Sequence, residues 1–67
     1  MSASRYVTVA FDEILKETDK AFLVRLPDEE EVWIPYSQIA DYEDYNAGDE
    51  DGELSVTEWI AKEKGLL

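Results

Sequence analysis

The 67-residue sequence contains no cysteine and no histidine. Without cysteine the chain cannot form a disulfide or use a thiolate as a nucleophile or metal ligand. Without histidine it lacks the commonest general base and the commonest ligand for transition metals. Its three glycines match neither of the phosphate-binding patterns GxGxxG and GxxxxGKS/T. These absences predict a chain that is not an enzyme and carries no cofactor.

Basic residues are also scarce. The sequence has six lysines and arginines against 17 aspartates and glutamates, which gives a formal net charge of −11. A field of this sign repels nucleic acid and anionic membranes, and it attracts cationic surfaces. We therefore expect a protein partner with a basic surface, and neither nucleic acid nor a membrane. The same charge also increases solubility, so it does not by itself require a partner.

Long hydrophobic runs are absent as well. No apolar stretch approaches the ~18 residues that a membrane-spanning helix needs, and residues 1–11 lack the apolar centre of a signal peptide. We therefore expect a cytoplasmic protein. A chain of this length makes one small domain, residues 1–67, and its 45% of hydrophobic residues can form a core. We expect this domain to be a monomer or a weak oligomer.

The first third of the sequence is typical of β-strands. Residues 6–11 alternate in side-chain type with a period of two, which indicates a strand. Residues 14–18 fit either a strand or a helix, and we favour a strand that bends or forms a bulge near Asp12 and Glu13. The polar residues 17–20 then indicate a turn.

Two further strands follow, joined by a tight turn. The apolar runs 21–26 and 32–34 end at Pro27 and Pro35, where proline cannot donate to a sheet ladder. Pro27 and the aspartate after it suit the central positions of a type I turn, because the ring of proline presets φ for the first of them. These residues predict a β-hairpin, and residues 36–39 are expected to form one helical turn.

The last third combines a charged segment with a helix. Residues 41–53 contain seven acidic and no basic residues, and their turn-forming residues predict a mobile acidic loop. A short strand is expected at 54–56. Thr57 is a suitable N-cap for a helix that continues to Lys64 and stops at Gly65. With the preceding strands, these elements predict a β-rich α+β fold: a small SH3-like or OB-like β-barrel of four to five short strands with a C-terminal helix.

One segment resembles a calcium-binding loop. The twelve residues 47–58 follow much of the EF-hand pattern, with Gly52 at the turn position and carboxylates at the spacing that calcium requires. The pattern is incomplete, because Ala47 occupies the first position, where aspartate is usual. Acidic residues and glycine are frequent here, so an acidic solvated loop is the favoured interpretation. The candidate ligands are Asp49, Asp51, Glu53 and Glu58.

The aromatic residues form a second candidate site. Trp33 alternates with Val32 and Ile34 and therefore lies on the opposite face of its strand. Exposed tryptophan and tyrosine anchor protein partners or stack on nucleobases. The favoured alternative is that Trp33 and Trp59 pack the helix against the sheet, because tryptophan in a small domain is usually buried. The candidate interaction residues are Trp33, Tyr36, Tyr42, Tyr45, Asp49, Glu50 and Asp51.

Two segments carry a resemblance to other sequences. Residues 31–39 read EVWIPYSQI and residues 57–66 read TEWIAKEKGL. They resemble the "VWIP-S-Q" strand segment and the "TEW-A-K-GL" C-terminal helix of short, uncharacterised phage and bacterial proteins, and the similarity covers most of residues 7–66. The resemblance implies a small accessory domain and no catalytic residue.

The sequence thus favours a non-catalytic protein-interaction module that uses an acidic face. Two other functions remain open. One is a small β-barrel associated with single-stranded nucleic acid, in which aromatic stacking outweighs the charge. The other is a calcium-binding domain that uses the loop 47–58.

Overall fold

The computed structural model describes residues 5–66, which form a four-stranded antiparallel sheet and one short helix. The strands lie in the order β3-β2-β1-β4, and the chain also contains two 3₁₀ helices, η1 and η2. The α+β class is confirmed, whereas the sheet is not closed into a barrel. The elements are β1 (Tyr6–Glu17), β2 (Ala21–Arg25), β3 (Glu31–Pro35), η1 (Tyr36–Gln38), η2 (Tyr42–Asp44), β4 (Glu50–Thr57) and α1 (Glu58–Glu63).

The first strand is long because it has two different partners. Its residues 6–13 pair with β4, and its residues 13–17 pair with β2. The register with β2 shifts by one residue between Ile14 and Lys16, so that Leu15 is the extra residue of a bulge. Strand structure is therefore confirmed for residues 14–17, and the bulge lies slightly later than predicted.

The β2–β3 hairpin is confirmed, including its turn. The amide of Glu29 donates to the carbonyl of Leu26 at 2.8 Å, which places Pro27 and Asp28 at the two central positions. The Asp28 carboxylate accepts the amide of Glu30 at 3.1 Å. Glu29 has a φ of 72°, the left-handed conformation that often follows such a turn.

The fourth strand starts earlier than the sequence predicts. It begins at Glu50 rather than at Leu54, so residues 50–53 of the acidic segment belong to the sheet. Gly52 pairs with Phe11, and its backbone lies under the Phe11 ring: a Cβ at position 52 would be only 2.7 Å from Cζ of Phe11. Gly52, the one uncharged residue of 50–53, is thus the residue that faces the buried Phe11 ring.

The core lies on one face of the sheet, and α1 closes it. Ile60 and Ala61 of the helix pack against the buried strand residues. Thr57 caps the helix as predicted, because its hydroxyl accepts the amide of Ile60 at 3.2 Å. Gly65, with a φ of 71°, ends the helix region. The buried apolar residues are Val9, Phe11, Ile14, Phe22, Val24, Leu26, Ile34, Ile39, Leu54, Val56, Ile60 and Ala61.

None of the helices within residues 5–66 is long and apolar enough to cross a membrane.

Candidate functional site

Two tyrosines are brought together where the chain leaves β3. Pro35 ends the strand and η1 begins at Tyr36, while η2 begins at Tyr42 after a left-handed residue, Asp41, with a φ of 53°. The rings of Tyr36 and Tyr42 stack with centroids 4.4 Å apart and planes 8° apart. Tyr36 also makes a T-shaped contact with the buried ring of Phe22, with centroids 4.8 Å apart. The two short helices therefore hold a layered aromatic group at the protein surface.

The position of Tyr36 is fixed by more than stacking. Its hydroxyl donates to the carbonyl of Thr18, in the turn between β1 and β2. The amide of Tyr36 donates to the carbonyl of Lys20 at 2.9 Å, in the same turn. Tyr36 is thus anchored at both its backbone and its phenol, and it provides a rigid support on which Tyr42 rests.

The surroundings of Tyr36 disfavour ionisation of its phenol. Desolvation raises the pKa of Tyr36 above its ordinary value of 10.0, and the nearby charges of Glu17 and Asp19 act in the same direction. The hydrogen bond to Thr18 acts in the opposite direction. Because desolvation is the largest cause and the carboxylates reinforce it, the neutral phenol is the form that the fold favours.

Shallow grooves lie on both sides of the stacked pair, and acidic residues border each. On one side are Asp19, Lys20, Pro35 and Ser37. On the other are Glu17, Thr18, Glu43, Tyr45 and Asn46, a set without any basic side chain. We call the surface formed by Tyr36, Tyr42, Glu17, Asp19 and Glu43 the tyrosine face.

Glu17 and Asp19 were not predicted as site residues, whereas Glu43 lies within the acidic segment 41–53 on which the predicted acidic face is centred. Glu17 and Asp19 lie near the β1–β2 turn, far along the chain from Tyr42. They reach the tyrosines because Thr18 and Lys20 of that turn accept hydrogen bonds from the hydroxyl and the amide of Tyr36.

Among residues 5–66, no lysine or arginine forms an ion pair with a carboxylate of the segment 41–53. The two ion pairs within residues 5–66 join Arg5 to Glu58 at 3.9 Å and Arg25 to Glu13 at 3.0 Å, and both lie outside this segment. Glu50 of β4 faces Glu13 of β1 across the sheet, so two like charges are neighbours there. Most acidic side chains of this segment are exposed, so carboxylates are concentrated on this part of the surface.

The remaining predicted acidic residues lie apart from the tyrosine face. The Asp49 carboxylate accepts the amide of Asn46 at 2.9 Å, which closes the turn before β4. Glu50 and Asp51 are exposed on β4. Of the seven predicted interaction residues, the structure brings Tyr36, Tyr42 and Tyr45 to one place.

Trp33 forms a separate surface. It lies on the outer side of β3, opposite the inward-pointing Ile34, as predicted. Its cross-strand neighbour is Leu23 on β2, and the neighbour of Leu23 on β1 is Lys16. This row crosses the outer face of the sheet.

The prediction that the tryptophans pack the helix against the sheet is wrong. Trp33 is 44% exposed and Trp59 is 61% exposed. The contact between helix and sheet is made by the smaller residues Ile60 and Ala61 instead. Because α1 has only six residues, its inward face is filled by these two, and Trp59 points away from the core.

The segment 47–58 does not adopt the form of a calcium-binding loop. Residues 50–57 are a β-strand, in which successive side chains point to opposite faces. Asp49 precedes this strand, Asp51 and Glu53 lie on it, and Glu58 begins α1, so the candidate ligands are spread along an extended segment. Among residues 5–66 no group of three or more acidic side chains is placed to hold a metal ion. Gly52 packs against the ring of Phe11 in this strand.

Comparison of the chain with protein-family models, curated proteins and solved structures gave no match. Functional inference therefore rests on the geometry and chemistry of the chain itself.

Proposed function

We propose that this chain is a non-catalytic protein-interaction module that binds a partner with a basic surface. The observation that carries the proposal is the tyrosine face, where stacked tyrosines are flanked by carboxylates. The chain has no histidine or cysteine, so a catalytic function has less support from its side chains.

The chemistry of the tyrosine face suits lysine and arginine side chains. Tyrosine presents a negative ring face to a cation, and a neighbouring carboxylate adds direct Coulomb attraction. Tyrosine is also enriched in the buried centres of protein interfaces, because it contributes large contact area at low entropic cost. The surrounding net charge of −11 would accelerate encounter with a basic partner.

We further propose that the fold is related to a small β-barrel in which the sheet stays open. Ile39, which follows η1, makes an isolated antiparallel bridge to Val56 on the free edge of β4. The amide of Ala40 donates to the carbonyl of Ser55 at 2.8 Å at the same place. These contacts bring the chain after β3 toward the opposite edge strand, as in SH3-like and OB-like barrels.

Binding of a labelled peptide rich in lysine and arginine, followed by fluorescence anisotropy, tests the proposed function. One variant neutralises three carboxylates of η2 and its cap, Asp41→Asn, Glu43→Gln and Asp44→Asn. A matched control neutralises three exposed carboxylates elsewhere, Glu30→Gln, Glu53→Gln and Glu63→Gln. Both variants change the net charge by the same amount, so only the location of the charge differs.

We expect saturable binding to the unmodified chain that weakens as salt increases. The variant at η2 should lose most of this affinity, and the control should retain it. Equal losses in the two variants would show that net charge alone attracts the peptide, and the proposal of a binding face would then be wrong.

The second candidate, binding of single-stranded nucleic acid, is favoured by one observation. The exposed Trp33 lies in a row with Leu23 and Lys16, which places an aromatic ring on the same sheet face as a cation. Base stacking contributes about 1–3 kcal/mol per base, but every phosphate contact needs a cation. We expect no binding to a strand of about 20 nucleotides at about 0.15 M salt. Saturable binding that disappears in Trp33→Ala would reverse the order of the two candidates.

A further inference from the structure

Tyr42 presents a free aromatic surface on a rigid support. One of its ring faces is covered by Tyr36 at 4.4 Å, yet the residue is still 36% exposed. Because Tyr36 covers one ring face, contact with a ligand is open only at the opposite face and the edge of the ring. Tyr36 is held by Phe22 and by the carbonyl of Thr18, so the free surface of Tyr42 is already in place before any ligand arrives.

The charges beside Tyr42 differ between its two sides. On the side of Asp19 the groove also contains Lys20, whose ammonium group partly offsets the carboxylate. On the side of Glu17 and Glu43 the lining contains two carboxylates and no basic residue. A cation is therefore attracted to the second side.

Glu17 has a defined orientation in that groove. Its Oε1 atom accepts the amide of Ala47 at 3.0 Å, which fixes the carboxylate between β1 and the turn at 47–48. A carboxylate accepts at two oxygens, so it retains capacity for a further donor. The groove thus combines a hydrogen-bonded carboxylate with the stacked tyrosine rings.

We propose that this groove, bordered by Tyr42, Glu43 and Glu17, binds an arginine side chain of the protein partner. The inference rests on the proposed function and specifies its ligand. A guanidinium group is planar, so it can stack on the Tyr42 ring while its N–H groups donate to carboxylates at its edge. A lysine ammonium carries the same charge but is compact and strongly hydrated, and it cannot make both contacts in this way.

The test compares three labelled peptides by fluorescence anisotropy. Each contains the same lysine-rich sequence, with a central arginine, lysine or citrulline. Lysine keeps the charge and removes the planar group, whereas citrulline keeps a planar group of similar shape and removes the charge. We expect the arginine peptide to bind about 3–10-fold more tightly than the lysine peptide, as cation–π and paired hydrogen bonds at partly exposed sites predict.

Variants of the protein locate the effect. Tyr42→Ala and Glu43→Gln should each reduce the preference for arginine over lysine to about onefold to twofold, whereas Tyr42→Phe, which keeps the ring, should retain it. The controls are Trp59→Ala, an exposed aromatic residue on α1, and Glu53→Gln, an exposed carboxylate on β4. Neither control should change the preference. Circular dichroism establishes that each variant folds.

The outcomes separate the two proposals. If the arginine and lysine peptides bind the unmodified chain equally well, the arginine site is wrong and the basic-partner proposal is retained. If the preference for arginine survives Tyr42→Ala in a folded variant, the site is again wrong. If none of the peptides binds, both the interaction module and the arginine site are overturned.

Discussion

Two acidic segments of this chain become ordered in different ways. The hairpin turn at residues 26–30 is closed by contacts among its own residues, including the bond from Glu29 to Leu26 and the bond from Glu30 to the Asp28 carboxylate. The segment 41–53 is held by residues far away in the sequence. Ile14 accepts the amide of Gly48 at 2.7 Å and donates to the carbonyl of Asp49 at 2.9 Å.

The difference shows that acidic composition does not decide whether a segment joins the sheet. The geometry of the hairpin turn follows from the few residues that form it. The segment 41–53 needs β1 as a template, together with the space that Gly52 leaves for Phe11. Whether the part of this segment before β4 is mobile stays a prediction.

The largest expected effect comes from filling the space between Gly52 and the Phe11 ring. Gly52→Ala places a methyl group against the buried Phe11 ring, so we expect a loss of about 1–3 kcal/mol in the free energy of unfolding. Chemical denaturation measures this loss. In Phe11→Leu the clash is smaller, so adding Gly52→Ala there should cost less than it does in the unmodified chain. Additive losses would contradict the role assigned to the contact.

A smaller effect of opposite sign is expected in the hairpin turn. Glu29 has a φ of 72°, which costs energy for a residue with a Cβ and none for glycine. Glycine also gives the unfolded chain greater conformational freedom, which opposes this gain. The net effect of Glu29→Gly should be a stabilisation of roughly 0.5 kcal/mol. Asp28→Gly is the control, and it should destabilise because it removes the acceptor for the amide of Glu30. Thermal melts of the two variants should shift in opposite directions.

Salt should raise the melting temperature because it screens the carboxylates of both the hairpin turn and the segment 41–53. The Debye length falls from about 30 Å at about 10 mM NaCl to a few Å at about 0.5 M, which weakens repulsion among unpaired carboxylates. Because residues 47–58 do not form a calcium loop, CaCl₂ of equal ionic strength should give an equal increase. A larger increase with calcium that disappears in Glu58→Gln would restore the calcium hypothesis.

The smallest expected effect concerns Tyr36 at high pH. Because its pKa in the folded chain is raised, the unfolded chain loses the proton first, and the stabilisation from the neutral phenol decreases as pH rises above about 10. Tyr36→Phe lacks this dependence. The difference in unfolding free energy between the unmodified chain and Tyr36→Phe should therefore shrink between about pH 9 and pH 11. A constant difference would mean that the phenol titrates alike in both states.

Local features of the sequence were sufficient for several elements. The alternation in β1, the Pro27 turn and the Thr57 cap each depend on interactions within a few residues, and the structure has all of them. The placement of Trp33 on the face opposite Ile34 also follows from the period of a strand, whereas its exposure was predicted wrongly.

The sequence named the tyrosines of the candidate site, but tertiary structure alone decided how they are arranged and which carboxylates join them. Tyr36 and Tyr42 are close in sequence, but their stacking depends on the anchoring of Tyr36 by Thr18, and Glu17 joins them only because β1 ends beside η2. The early start of β4 and the exposure of Trp59 likewise depend on which surfaces the sheet order brings together. Periodicity and turn chemistry act over a few residues, whereas packing partners lie many residues apart and are selected by the whole fold.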